Sequence, residues 1–339
     1  MNKIYPLISI CVPTYNQEKE IIQTLEGILD QKDVNIEIII ANDGSNDNTH
    51  SVCEFYQKKY PDIIKYIRQT INKGIIRNTQ DCLMAANGKY IAICEGDDWW
   101  CDAYKLKEQL SILENSPETS MIHTNWTNYI CETGTYQKSK VTTGKYICET
   151  EKGISSFEEI FNNNYHGIRF SSIMFRKETF LNIIREHPGF FDNDFSTLDL
   201  GFFYCLAYYG KFYFINKPTT IYRIHDGSVS INTDSRKANK FALGVINIRA
   251  YFASQFNYSS TKLNKQINTS LGGICNYLLT NSDKEIAELL LHSAKKFNFH
   301  LSTKRKLIIY STKCHFLSRT IRKILKLHNY LHIKIKRHI

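Results

Sequence analysis

The sequence predicts an α/β fold, a mostly parallel sheet flanked by helices and continued by a C-terminal helical extension, and three observations carry that expectation. Short apolar runs alternate with helical stretches through the first hundred residues, the pattern of right-handed βαβ units. Each run stops at a turn rich in Asn, Asp, Gly or Pro. The apolar run Lys89-Tyr90-Ile91-Ala92-Ile93-Cys94 ends abruptly in Glu95-Gly96-Asp97-Asp98, which sets three carboxylates where a central strand gives out.

Taken in order, Leu7-Ile8-Ser9-Ile10-Cys11-Val12 reads as a strand that Pro13-Thr14-Tyr15-Asn16 stops, and residues 18–31 as the helix after it. Residues 36–41 are the second strand, closed by Asn42-Asp43-Gly44-Ser45, with Asn46 or Asp47 as N-cap of the next helix. A third strand at 63–67 leads into Asn72-Lys73-Gly74 and a helical segment carrying Arg77 and Asn78. Consecutive apolar residues mark the fourth strand as buried on both faces, so Tyr15, Asp43 and Asp97 are expected along one sheet edge. A charged amphipathic helix follows Asp102 to about 115, with Pro117 ending the turn after it. Residues 120–126 suit a strand, 127–152 hairpins or a long loop, 170–175 a strand, 197–209 a helix, and 212–215 and 220–224 two short strands. From about 232 the pattern is helical, with breaks near Asn257, Gly272-Gly273 and Asn281-Ser282. The expected division is an α/β domain at 1–230, a helical extension at 231–301 and a basic tail at 302–339.

With 42% apolar and 22% charged residues in 339, the composition is that of a globular protein. No leader pattern opens it, and no apolar run approaches the roughly 18 to 20 residues of a membrane span, so the expected location is cytoplasmic. The ten cysteines never form Cys-x-x-Cys and several sit inside apolar runs, which reads as reduced core thiols. The net charge of +10 lies entirely in residues 302–339, which hold eleven Lys and Arg and no acid. The remaining body is near neutral, which argues against nucleic acid as a partner. The tail alternates basic clusters with Phe316, Ile321, Ile324, Leu325 and Leu331, which suits docking on an anionic membrane surface. A solvated helix packed on the protein is the plainer alternative.

Carboxylates at the carboxyl end of a central strand suit a divalent cation, Mn2+ or Mg2+, holding a phosphorylated ligand, because hard cations take one or two carboxylates plus phosphate oxygens and water. The competing use is structural: Glu95, Asp97 and Asp98 as loop acids capping the helix that follows.

Val12-Pro13-Thr14-Tyr15-Asn16, Asn42-Asp43-Gly44-Ser45, Asn72-Lys73-Gly74 with Arg77-Asn78, and Glu95-Gly96-Asp97-Asp98-Trp99-Trp100 together resemble the motifs of family 2 nucleotide-sugar glycosyltransferases of GT-A fold. The resemblance continues in Thr197-Leu198-Asp199 and in Tyr222-Arg223-Ile224-His225-Asp226-Gly227-Ser228-Val229-Ser230, and spans about residues 6–230. It implies inverting, metal-dependent transfer of a sugar from a nucleotide-sugar donor, a UDP-sugar first among them, to a glycan or lipid-linked acceptor in cell-surface polysaccharide synthesis. Pro13, Thr14, Tyr15, Asp43, Arg77, Glu95, Gly96 and Arg223 would then contact the donor. Tyr15 would offer its face to the base and Asp43 would accept hydrogen bonds from base or ribose. Asp97 and His225 would bind metal, and Asp199 would be the catalytic base. Glu95 stands where the usual Asp-x-Asp has its first aspartate. Each residue also has a structural use: Tyr15 as a core aromatic, Asp43 as a turn initiator, Arg77 as a solvated helix arginine, Asp199 as a first-turn acid. Two other functions fit the same residues, a nucleotidyltransferase and a non-catalytic nucleotide-sugar-binding module. The first loop lacks the Gly-rich basic segment that a triphosphate cradle needs.

Overall fold

The computed structural model describes residues 5–139, 153–162, 167–193, 195–225 and 234–312, together with Thr320 and Ile324. The chain alternates β1 (Leu7–Thr14), α1 (Glu20–Leu29), β2 (Asn35–Asn42), α2 (Thr49–Lys59), β3 (Ile64–Arg68), α3 (Ile75–Met84) and β4 (Tyr90–Ile93). These strands pair in parallel in the order β3-β2-β1-β4, and the interior runs of β1, β2 and β4 are buried on both faces, as their unbroken apolar sequences require. Helices α1 and α2 cover them through Ile21, Leu25, Ile28, Cys53 and Tyr56.

After β4 come a two-residue strand, β5 (Trp99–Trp100), then α4 (Lys105–Asn115), β6 (Thr119–Ile130), β7 (Thr135–Lys138), α5 (Ile154–Asn162), a 3-10 turn (Phe170–Ser172), β8 (Ile173–Arg176), α6 (Lys177–Glu186), α7 (Asp199–Tyr209) and β9 (Lys211–Ile224). Strand β8 runs antiparallel between β4 and β6, while β9 lies parallel to β6 and antiparallel to β5. Among the described residues, nine strands therefore form one sheet, parallel in its first half and mixed in its second.

Several local expectations change. The strand expected at 170–175 begins with the 3-10 turn. The two short strands expected at 212–224 are one, β9, because the shift in register at Asn125 lets β6 keep pairing past Pro218, a residue with no N–H to give. At α2 the N-cap is Asn48 and its side chain makes no capping bond. Asp47 nonetheless accepts the Thr49 amide at 3.0 Å and its hydroxyl at 2.5 Å, so the acid serves the helix start from one residue upstream. Strand β6 continues to Ile130 and turns into β7; residues 140–152 lie outside those described.

Contacts divide the chain into Met1–Asn193 with Thr197–Ser228, and Asp194–Ser196 with Val229–Ile339. The second unit holds α8 (Ser235–Gln255), α9 (Ser260–Asn281), α10 (Lys284–Lys296) and α11 (Thr303–Ser311). Asn257 and Ser282, both at positive φ, end α8 and α9 as expected. Gly272 and Gly273 do not break α9: each glycine costs about 1 kcal/mol in a helix, and burial of Leu271, Ile274, Cys275 and Leu278 outweighs it. The start of the basic tail is ordered as α11, which buries Ile308 and Ile309 and whose Arg305 donates to the Asn268 carbonyl of α9 at 2.9 Å. Phe316, Ile321, Leu325 and Leu331 lie outside the described residues, and Ile324 is exposed. No helix among the described residues is long and apolar enough to cross a membrane.

Candidate active site

Main-chain hydrogen bonds draw three loops together at the carboxyl edge of the parallel strands. The Cys94 amide donates to the Cys11 carbonyl, the Gly96 amide to the Pro13 carbonyl and the Asp43 amide to the Thr14 carbonyl, each at 3.0 Å. Gly96 is obligatory, since a Cβ there would lie 2.3 Å from Gln17 Oε1 and 2.8 Å from Thr14 Cβ. From α1, the Thr24 hydroxyl reaches the Asp98 carbonyl at 2.6 Å and the Gly96 carbonyl at 3.0 Å, closing the acidic loop from below.

None of the three acids caps α4, where Asp102 accepts the Tyr104 amide instead. Asp98 is fully buried. Its Oδ1 accepts the Arg223 amide at 3.0 Å, and its Oδ2 has no hydrogen-bond partner among the described residues. Burial first, then the charge of Asp97, pushes its carboxyl up to about 8. Burial likewise drives Glu95 well above the carboxylate range, reinforced by Asp98, Asp97 and Asp199. The Glu95 amide donates to Ser171 Oγ at 3.0 Å, so the 3-10 turn seats this residue. Asp97 faces outward, with Oδ2 3.3 Å from His225 Nε2, and that contact raises the imidazole. Arg223 is spent on the loop's main chain and on α1, with Nε to the Asp97 carbonyl at 2.7 Å and a terminal nitrogen to Gln23 Oε1 at 2.9 Å.

Asp199 opens α7. Its Oδ1 accepts the Leu200 amide at 2.7 Å and the Thr197 hydroxyl, while among the described residues no hydrogen bond reaches its Oδ2. One oxygen is anchored and the other is available to take a proton.

The remaining residues singled out in the sequence are less uniform. Tyr15 is 41% exposed, so it is not a core aromatic. Asn16 beside it adopts φ 52° and exchanges hydrogen bonds with the second loop, to Ser45 Oγ at 2.9 Å and from the Asn46 amide at 2.8 Å. Asp43 is buried, and its two oxygens accept the amides of Lys73 (2.7 Å) and Gly74 (2.9 Å). Its carboxylate is thus already tying the second loop to the third, and a base or ribose would meet only its remaining lone pairs. Arg77 is not turned toward the acids; it pairs with Asp192 at 2.7 Å.

Could these residues hold a divalent cation? Among the described residues no three His, Cys, Asp or Glu side chains converge as a cage. Asp97 and His225 do present an oxygen and a nitrogen donor side by side, and a Mg2+-like ion completes its shell with phosphate oxygens and water. The donor set fits an ion that arrives with a diphosphate. Asp226 and residues 227–230 of the same motif lie outside those described.

One residue behind the loop carries no signal in the sequence. Lys105, first in α4 and apparently a surface lysine by its position in a charged helix, is fully buried over the Trp100 ring at 4.5 Å. Its Nζ donates to Gln109 Oε1 at 2.7 Å and the Ser172 carbonyl at 3.3 Å, and Trp100 Nε1 donates to the Ser171 carbonyl at 2.8 Å. The turn that seats Glu95 is thereby held from both sides.

An open α/β sheet whose carboxyl edge gathers an exposed aromatic, an acidic cluster and an Asp–His pair belongs to the class of α/β folds whose ligands bind at that edge. The chain belongs to glycosyl transferase family 2, whose profile matches residues 9–181. An uncharacterized protein of Mycobacterium tuberculosis is 40% identical over 115 residues, which is 34% of this chain and 33% of that protein, so the chain spans about a third of that relative's length. The UDP-Glc:alpha-D-GlcNAc-diphosphoundecaprenol beta-1,3-glucosyltransferase WfaP of Escherichia coli is 30% identical over 67% of this chain and 80% of its own. Among solved structures, TarS residues 1–349 of S. aureus in complex with UDP-GlcNAc superposes with a TM-score of 0.61 over 95% of this chain and 92% of that one, at 14% identity. The GT-A type of fold is thereby shared.

Lys105 allows a prediction on stability. Burial lowers its amine to about 7, against the opposing charges of Cys94 and Asp102. Unfolded, it returns to about 10.4. Between those values the unfolded chain binds the extra proton, so folding gains as pH rises from about 7 to about 10; below about 7 both states are protonated and the contribution is constant. In denaturant unfolding, the stability of the wild type relative to Lys105→Met should climb across this window by up to about 1.4 kcal/mol per pH unit. A flat difference would mean that the amine stays charged in the fold.

Proposed function

We propose that the chain is a metal-dependent inverting glycosyltransferase that moves a sugar from a nucleotide-sugar donor, a UDP-sugar, to a glycan or lipid-linked acceptor in cell-surface polysaccharide synthesis. The observation that carries this reading is the geometry of Asp199 at the start of α7, where one carboxylate oxygen is anchored by the Leu200 amide and the Thr197 hydroxyl and no hydrogen bond among the described residues reaches the other. One carboxylate with a free oxygen is what an inverting transfer needs, whereas a hydrolase of sugars needs a second acid to protonate the leaving oxygen. The E. coli relative, named for a UDP-glucose donor and a diphosphoundecaprenol-linked acceptor, supports the choice of substrates.

In this reading Tyr15 stacks on the base, with Pro13 and Thr14 shaping its loop and Asp43 and Glu95 bounding the ribose. Asp97 and His225 would hold the cation, which when bound would supply Lewis-acid stabilisation of the departing diphosphate. The acceptor oxygen attacks the anomeric carbon opposite the diphosphate, the bond from that carbon to the phosphate oxygen breaks with its electron pair leaving on the diphosphate, and Asp199 Oδ2 takes the hydroxyl proton. The basic segment beyond α11 brings the enzyme to an anionic membrane, where lipid-linked acceptors reside.

Three measurements test these parts. Released nucleoside diphosphate, assayed over a panel of sugar nucleotides, should appear for at least one donor and should vanish with chelator or with Asp97→Asn while the fold persists; undiminished turnover in chelator excludes the metal. Asp199→Asn should lower transfer by about 10^2-fold or more with donor affinity nearly unchanged, and wild-type rates would place the base elsewhere. Full-length protein should sediment with anionic but not neutral vesicles, and a chain ending at Thr312, which keeps α11, should not; equal partitioning of the two proteins removes the membrane role.

A further inference from the structure

The arginines around the sheet differ in how much of their hydrogen-bonding capacity is used. Arg176 is fully employed, donating to the carbonyls of Thr119, Leu113 and Ser116 and to the Tyr90 hydroxyl. Arg223 is bound to the acidic loop and α1, and Arg77 is paired with Asp192. Arg169 alone of these four has no hydrogen bond or ion pair from its guanidinium among the described residues, and its Nε is buried without an acceptor. Its placement is nonetheless firm. Its carbonyl accepts the Ser172 amide at 2.9 Å and the Ser172 hydroxyl at 2.7 Å, and its guanidinium lies 4.0 Å over the Tyr222 ring and 5.0 Å from the Trp126 ring. Stacking occupies the face of a guanidinium and leaves its in-plane N–H groups able to meet oxygen acceptors. The residue precedes the turn that seats Glu95, and its positive charge acts on both Glu95 and Asp98.

A charged donor left without an acceptor is costly, and a stacked guanidinium with unused in-plane donors is pre-organised for a planar fork of oxygens. We propose that Arg169 is a phosphate-binding residue of this site, held by Tyr222 and Trp126 so that its free edge meets a phosphate oxygen of a substrate. This rests on the glycosyltransferase reading, in which phosphate is the anion that enters. The chemistry is the same whether the phosphate belongs to the donor's diphosphate or to a lipid-diphosphate acceptor.

The test titrates UDP, GDP and dTDP, and the corresponding nucleosides, into wild type, Arg169→Gln and Arg169→Lys by calorimetry. It also measures transfer KM for a prenyl-diphosphate-linked sugar against the same sugar as a simple alkyl glycoside, and melts each protein without ligand. If the donor supplies the phosphate, Arg169→Gln weakens the nucleoside diphosphate about tenfold or more and leaves the nucleoside unchanged, with Arg169→Lys between. If the acceptor supplies it, nucleotide affinity is unchanged and KM rises for the diphosphate-linked acceptor only. In either case the ligand-free melting temperature holds or rises, because removing an unsatisfied buried donor relieves a cost. Unchanged values in both arms, or losses explained by a lowered melting temperature, overturn the proposal. Failure of the wild type to bind any of the three diphosphates overturns the glycosyltransferase reading itself, an outcome distinct from equal binding by wild type and variant.

Discussion

Burial of an acidic cluster is the constraint on which the rest of the site depends. Glu95, Asp97 and Asp98 fall within four consecutive positions, and burial first, then the charge of their neighbours, holds the carboxyls of Glu95 and Asp98 above their ordinary range. Left unbraced, a loop carrying such groups would turn them out to water. Amide-to-carbonyl bonds to β1, the Thr24 hydroxyl from α1, Ser171 from the 3-10 turn and Arg223 from β9 hold it instead. In the sheet, β8 follows the turn that seats Glu95 and is the antiparallel strand between β4 and β6, while β9, parallel to β6, carries Arg223 to the loop.

Much of this was legible in the residues. The alternation of apolar runs with helices, the four strand-end turns and the helix that starts near Asp199 are local patterns, and local patterns survive folding. What the sequence hid depends on partners far away in the chain. Lys105 looks like any lysine in a charged helix until Trp100, Gln109 and Ser172 close around it. Ser171 sits in a stretch that reads as plain strand and Arg169 just before it, and nothing nearby says that one seats Glu95 or that the other is stacked on Tyr222. Nothing beside Asp43 says that its two oxygens accept the amides of Lys73 and Gly74, thirty positions on. Gly272 and Gly273 were read as a break because propensity was weighed without the packing of their neighbours.

The second unit obeys different physics. Three of its helices carry N-cap side chains that accept main-chain amides, Asp234 for α8, Ser259 for α9 and Asp283 for α10. Arg236 joins Asp283 and Glu285, and Phe195 packs among Tyr251, Phe252 and Phe297, so the unit has its own core and its own ion-pair network.

Because the acidic loop is fixed through its main chain, its side chains are decoupled from its shape. The bonds at Cys94, Gly96 and Asp98 use amides and carbonyls that every residue type except proline possesses, and of the three only the glycine is sterically compelled. A loop built this way is a socket with exchangeable pins: Glu can stand at 95 where Asp is usual without moving 97. The reach of a carboxylate can then be lengthened or shortened by one methylene while the framework around it stays in register.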